Sequence, residues 1–272
     1  MDLRLSGRVA LVTGANHGIG AAIATALASE GAAVLMTYLR LDPAAQAGEP
    51  HPPAYAELRA SDGREIVRHI REAGGRAQVM EADLSDPDVP AALFDAAEQH
   101  YGAVEILVNN ASGWLANTFL PASRDRFGRS LQAVDAVSHD RQFSVDARGS
   151  ALLIAEFARR HLARGGTWGR IIGLTSGGPD GFPQEVSYGA AKAALDNYTM
   201  SAAHELGPYG VTANMVYPPI TDTGWITAEV RREAAAHGPI ADVAEPADVA
   251  EVVTFLASHA ARRVTAQTVR MH

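Results

Sequence analysis

The stretch Val9-Ala10-Leu11-Val12-Thr13-Gly14-Ala15-Asn16-His17-Gly18-Ile19-Gly20 decides how the chain is read. Four apolar residues make a short buried strand. A glycine-rich turn follows, and over residues 18–29 Ile19, Ile23, Ala26 and Leu27 recur on one face of an alanine-rich helix. Glycines let backbone approach a phosphate closely, and the helix start offers free N–H groups and the positive end of a dipole. The spacing is G-x-x-x-G-x-G rather than the general dinucleotide pattern G-x-G-x-x-G. A plain strand-to-helix connection would use similar residues, but the position at the first β–α junction supports a nucleotide site.

Outward from that turn, further apolar runs alternate with helical patterns. The runs are Ala33-Val34-Leu35-Met36, Ala77-Gln78-Val79-Met80, Ile106-Leu107-Val108, Arg170-Ile171-Ile172-Gly173-Leu174 and Val211-Thr212-Ala213-Asn214-Met215-Val216. The helical patterns lie near 64–73, 89–99, 144–163, 188–206 and 247–257. Continuous apolar strands separated by helices predict an α/β fold, a Rossmann-type doubly wound parallel sheet of about seven strands with helices on both faces. Residues 1–272 are read as one domain, which is long enough to bury a full core. Pro43, Pro50, Pro52 and Pro53 mark residues 41–60 as a loop insertion. It is either a tolerated surface excursion or a flap near the adenine end of a cofactor.

The composition narrows the function. With no cysteine, disulfides, thiolate catalysis and zinc–cysteine sites are excluded, and no metal site is expected. A net charge of −8 opposes binding to a phosphate backbone, so nucleic acid is not an expected partner. No apolar run reaches the ~20 residues of a membrane span. The polar start Met1-Asp2-Leu3-Arg4-Leu5 does not read as a signal peptide, so a cytoplasmic location is expected.

Several residues carry candidate chemistry. Asp83, with Leu84, follows the third run and is placed to accept a hydrogen bond from an adenine amino group, though a helix cap or turn would use it equally. Asn109-Asn110-Ala111 closes the fourth run, where asparagine amides tie strand ends together. The 2′ group of a dinucleotide is read after the second run, here Thr37-Tyr38-Leu39-Arg40. With no acid in that segment, Arg40 is offered to a 2′-phosphate and His17 lies in the nearby turn, so NADP(H) is favoured and NAD(H) stays open. Tyr188 and Lys192 stand at i and i+4 on one helix face. A tyrosine of ordinary pKa near ~10 is a poor base, and an ammonium beside it favours phenolate. Ser176 ends the fifth run, where its hydroxyl would hold a carbonyl against the phenol or simply serve a turn.

Thr13 to Gly20, Asp83-Leu84, Asn109-Asn110-Ala111, Ser176, Tyr188 to Lys192 and Asn214-Met215-Val216-Tyr217-Pro218 occur in the order of the short-chain dehydrogenase/reductase family. The chain resembles that family over nearly its whole length, most of all the branch containing 3-oxoacyl-[acyl-carrier-protein] reductases. The resemblance implies an NADP(H)-dependent carbonyl reductase or secondary alcohol dehydrogenase. Ser176 would polarise the carbonyl, Tyr188 would donate the proton, and Lys192 would hold the nicotinamide ribose. It also implies cofactor contacts at Gly14, Asn16, Gly18, Ile19, Gly20, Tyr38, Asn110, Ala111, Pro218, Thr221 and Thr223.

The pattern is broken in places. Asp146 stands where the family has a catalytic asparagine, and a carboxylate beside Lys192 would change local pKa values. Pro219 replaces a glycine, which fixes φ in the loop carrying Thr223, and Ser112 replaces another. The family's terminal Gly-Gly tail is not matched after His272, which unsettles the expected homo-oligomer, a dimer or tetramer. Trp114, Leu115 and Trp225 are the expected pocket walls, and residues 131–141 its mouth; His139 and Asp140 are expected on the surface. Arg124, Arg126 and Arg129 form a candidate patch for an acyl carrier. The substrate is a small carbonyl or alcohol. Two alternatives remain: an NAD-dependent dehydrogenase of a sugar, steroid or polyol, and a catalytically weak nucleotide-binding regulator.

Overall fold

In the computed structural model, which describes residues 3–42, 44, 53–125, 129–176, 181–236, 238 and 242–272, β1 (Val9–Thr13) feeds α1 (Gly18–Ser29) and returns as β2 (Ala33–Tyr38). After β2 come α2 (Pro53–Arg59), α3 (Arg64–Glu72), β3 (Arg76–Glu81), α4 (Val89–Tyr101) and β4 (Ile106–Asn109). Two short strands, β5 (Asn117–Thr118) and β6 (Gln132–Ala133), pair with each other. Then follow α5 (Ala136–Gln142), a π-helical segment (Phe143–Gly149), α6 (Ser150–Ala163), β7 (Gly169–Leu174), α7 (Val186–Leu206) and β8 (Val211–Tyr217). The chain closes with α8 (Ala228–Ala235), α9 (Pro246–Ala257) and β9 (Thr268–Arg270).

Among the described residues, seven strands form one parallel sheet in the order β3-β2-β1-β4-β7-β8-β9. β1 and β2 are buried along their whole length, as the unbroken apolar runs require of strands covered on both faces. One apolar layer packs Ile23 and Leu27 of α1 and Val249, Val253 and Leu256 of α9 against the sheet. The opposite layer takes Leu93 and Phe94 of α4, Leu153 and Phe157 of α6, and Ala202 and Leu206 of α7. The order reverses between β1 and β4: from β1 the chain winds toward β3, and from β4 toward β9. Loops leaving the two C-terminal strand ends therefore part to opposite sides and open a crevice there.

Two expectations need amendment. Residues 53–59 of the insertion form α2 rather than loop, because proline suits a first helical turn and Ala54 to Arg59 contains no breaker; residues 43 and 45–52 lie outside the described residues. The helix expected over 144–163 starts instead as the π segment and becomes α-helical at Ser150. No helix among the described residues is long and apolar enough to cross a membrane.

The rings of Phe94 and Phe157 meet edge to face at 6.5 Å in a fully buried layer. Phe94→Ala is expected to cost about 3–5 kcal/mol, measured as a lowered urea midpoint with an unchanged slope.

Candidate active site

A cleft of about 1450 Å³ opens at the C-terminal edge of β1 and β4. Its floor is the glycine-rich turn. Gly14 and Gly18 take φ of +64° and +54°, which glycine adopts without strain. A Cβ on Gly20 would collide with the carbonyl oxygen of Gly14, so the turn can be this tight only with glycine there. Asn110 locks it: the side-chain nitrogen donates to the carbonyls of Thr13 and Gly14 at 2.9 and 3.0 Å. The Thr13 hydroxyl accepts from the backbone N–H groups of Asn110 and Ala111, both at 3.0 Å. The structural part expected of the asparagine motif is thus its observed one. No side chain caps the start of α1 and its first turn carries no acid, so its leading N–H groups remain available to an anion.

The candidate catalytic residues meet on the opposite wall. Ser176 stands two residues beyond β7, Tyr188 and Lys192 lie on α7, and all three line the cleft. The Ser176 hydroxyl lies near enough to the Tyr188 phenol to act on it electrostatically. The Lys192 nitrogen stands 5.7 Å from the centre of the tyrosine ring. Burial holds the Tyr188 phenol well above its ordinary value; the Asp146 and Glu185 carboxylates add to this and the Ser176 hydroxyl opposes it. Asp146 sits in the π segment, fully buried and outside the cleft wall, with Oδ1 2.9 Å from Lys192 Nζ. Gly149 permits the close packing of that segment, since a Cβ there would press on the Leu84 carbonyl at 2.8 Å.

The walls are aromatic. Trp114, Phe182 and Trp225 line the cleft, so both flagged tryptophans face it. Trp114 is held by Nε1 donating to Glu185 at 3.0 Å, and Arg129 donates to the other oxygen of the same carboxylate at 3.0 Å. Arg129 also pairs with Asp125. It therefore faces inward and does not join an arginine patch on the surface; Arg126 lies outside the described residues. His139 and Asp140 pair with each other at 2.9 Å on the surface.

Sequence reasoning missed what α2 contributes. Tyr55 packs edge-on against His17 at 5.7 Å and against Trp114 at 6.5 Å. The Asn16 side chain donates to the carbonyls of Leu58, Arg59 and Ser61 at 3.4, 3.4 and 3.1 Å. A Cβ on Gly224 would run into Leu58. This packing sets α2 against the glycine-rich turn and the aromatic wall. The run Ala54-Tyr55-Ala56-Glu57-Leu58-Arg59 was a usable helix signal, hidden among prolines.

Comparison with known proteins agrees with this geometry. Residues 8–52 match the family model described as short chain dehydrogenase, and residues 53–271 the related model described as enoyl-(acyl carrier protein) reductase. The chain belongs to the short-chain dehydrogenase/reductase family. It is 36% identical to cis-4-hydroxycyclohexanecarboxylate dehydrogenase of Sinomonas cyclohexanicum, over 93% of this chain and 90% of that one. It is 33% identical to versicolorin reductase of Emericella nidulans, over 98% and 95%. A solved short chain dehydrogenase from Burkholderia cenocepacia in complex with NADP superposes with a TM-score of 0.79 at 31% identity, covering 98% of this chain and 97% of that one.

As a short-chain dehydrogenase/reductase, the chain is an NAD(P)-dependent oxidoreductase of CH–OH and C=O groups. Its residues fit a nicotinamide dinucleotide. Besides the uncapped start of α1, the Thr37 hydroxyl lines the cleft buried and without a partner, and His17 Nδ1 is likewise buried and unpartnered. Ile19, Tyr38, Asp83, Leu84, Pro218, Thr221 and Thr223 all line the cleft. Thr223 rests against Gly18, whose added Cβ would meet it at 3.0 Å. Asp83 also makes the expected turn, accepting from the Ser85 N–H at 2.8 Å. Arg40 is placed differently. Its guanidinium pairs with Glu81 at 2.9 Å, outside the cleft wall, while the Tyr38 hydroxyl donates to Asp62 at 2.9 Å.

Two outcomes are expected. Gly20→Ala should abolish cofactor binding or unfold the turn, seen as loss of the NADPH fluorescence signal or a lowered Tm. Burial, with the Arg59 guanidinium second, pushes the His17 imidazole down to about 4. An unfolded histidine protonates near ~6.5, so the unfolded chain binds a proton in that interval that the native state refuses. Stability should therefore fall as pH drops from about 6.5 toward 4, and His17→Gln should flatten that slope in urea unfolding followed across the same range.

Proposed function

We propose that the protein is an NADP(H)-dependent carbonyl reductase and secondary alcohol dehydrogenase acting on ring ketones and the corresponding cyclic alcohols. The observation that carries the reading is the meeting of Ser176, Tyr188 and Lys192 on one cleft wall, with the Lys192 nitrogen 5.7 Å from the tyrosine ring. The flat aromatic walls of Tyr55, Trp114, Phe182 and Trp225 suit a ring better than a flexible chain. The similarity to a dehydrogenase of cis-4-hydroxycyclohexanecarboxylate points to the same class. NADP is favoured by the neighbour solved with that cofactor.

A bound nicotinamide cofactor supplies the hydride that reaches the carbonyl carbon. The chain's own residues do the rest. Ser176 donates to the carbonyl oxygen and fixes it against Tyr188. The phenol gives its proton to that oxygen as the alcohol forms, and the resulting phenolate regains a proton from water. Lys192 stabilises the phenolate in the interval. The largely apolar walls keep the carbonyl oriented.

NAD(H) is a second reading, favoured by one observation: the guanidinium meant for a 2′-phosphate is already engaged by Glu81. NADPH oxidation is the test, followed with cyclic ketones, linear ketones and a β-keto thioester, and with NADH in parallel. Tyr188→Phe should lose about 10²–10⁴-fold in kcat while still binding NADPH. With its guanidinium held by Glu81 outside the cleft wall, Arg40→Ala should change the affinities for NADPH and NADH little. Full turnover in the Tyr188 variant would overturn the mechanism. Turnover with NADH alone would overturn the cofactor assignment.

A further inference from the structure

Asp146 is the member of the catalytic group that does not reach the cleft. Its carboxylate is fully buried, with one oxygen on each of two neighbours. Oδ2 accepts from the Gly113 N–H at 2.8 Å, which ties the π segment to the loop after β4. Oδ1 lies 2.9 Å from Lys192 Nζ, a Coulombic contact rather than an aligned hydrogen bond. Lys192 is itself only 2% exposed, and its ammonium faces the Tyr188 ring. A buried carboxylate and a buried ammonium therefore stand in series behind the half-buried phenol at the cleft wall. An ammonium alone in that place would draw the phenol toward phenolate. An ammonium in contact with a carboxylate presents a nearly cancelled charge to a group farther away than their separation.

We propose that Asp146 is a positioning residue that holds Lys192 in a buried ion pair and, by cancelling its charge beside Tyr188, keeps the phenol protonated and moves the working pH of the site upward. The assignment rests on the carbonyl-reductase reading of the same residues. The other groups facing the phenol can be named. Ser176 reaches it from the end of β7, Glu185 from the turn before α7, and Tyr55 from α2. Glu185 is spoken for by Arg129 and Trp114. Asp196, one turn beyond Lys192 on α7, is bonded by Thr175, and burial raises its carboxyl. Asp146 acts on the phenol more strongly than Glu185 does, and Asp146 is also the carboxylate in contact with Lys192.

Asp146→Asn tests this, because it removes the charge and keeps the shape. Phenolate absorbance is titrated in the free protein and the Tyr188→Phe spectrum subtracted, isolating one of seven tyrosines. Wild-type Tyr188 should ionise above about 10, and Asp146→Asn should lower that midpoint by about one unit or more. In turnover, the alkaline limb of ketone reduction and the acid limb of alcohol oxidation should move down together by the same amount. An unshifted midpoint, or limbs that stay in place, overturns the assignment. Should Asp146→Asn fail to fold, Asp146→Ser removes the same charge with a smaller side chain, and its midpoint is read in the same way: a fall supports the proposal and an unshifted value overturns it. The titration needs neither substrate nor cofactor. A shifted phenol in a protein that reduces no ketone would therefore reject the proposed function while leaving Asp146 in its role.

Discussion

The site depends on how closely two strand ends can be held together. β1 and β4 are neighbours in the sheet, and the chain leaves them toward opposite sides. Asn110 spans that divide with one amide nitrogen shared between the carbonyls of Thr13 and Gly14. The Thr13 hydroxyl returns the tie by accepting from Asn110 and Ala111. The turn can then fold back on itself only if Gly20 carries no side chain. Each bond is worth no more than about 0.5–1.5 kcal/mol net. Their value lies in geometry, since they aim the start of α1 into the crevice and leave its N–H groups uncapped.

The opposite wall is organised by charge. The Asp146 and Glu185 carboxylates favour the neutral form of Tyr188, the Ser176 hydroxyl opposes them, and the Lys192 ammonium stands over the ring. Partial burial strengthens these interactions by reducing screening. A site of this kind is set by the sum of a few contacts at fixed distances rather than by any one residue. The π segment matters here: its wider turn carries Asp146 into contact with α7 and the loop after β4 at once. Such segments recur at functional sites because they break the helical repeat where a side chain must be re-aimed.

Much of this was legible in the chain. The unbroken apolar strands, the glycine turn, Ser176, and Tyr188 with Lys192 are local patterns whose spacing carries their meaning. The pairing of Asn110 with the turn was foreseen in kind, since asparagine at a strand end has few other uses. What escaped was set by contacts between distant parts of the chain. Arg40 looked available to a phosphate because Glu81, at the end of a neighbouring strand, cannot be seen beside it until β2 and β3 pair in register. Asp146 read as a departure from a pattern with Lys192 beside it, and only packing of the π segment shows its second partner, the Gly113 N–H. The helix in the insertion was masked by the prolines around it, and with it went Tyr55.

That helix has a thermodynamic consequence. α2 rests on the phosphate-side turn through Asn16 and His17, and on the substrate side through Trp114 and Gly224. A ligand that displaced α2 would disturb both walls at once, and reciprocity would then require a second ligand resting on the other wall to feel the change in equal measure.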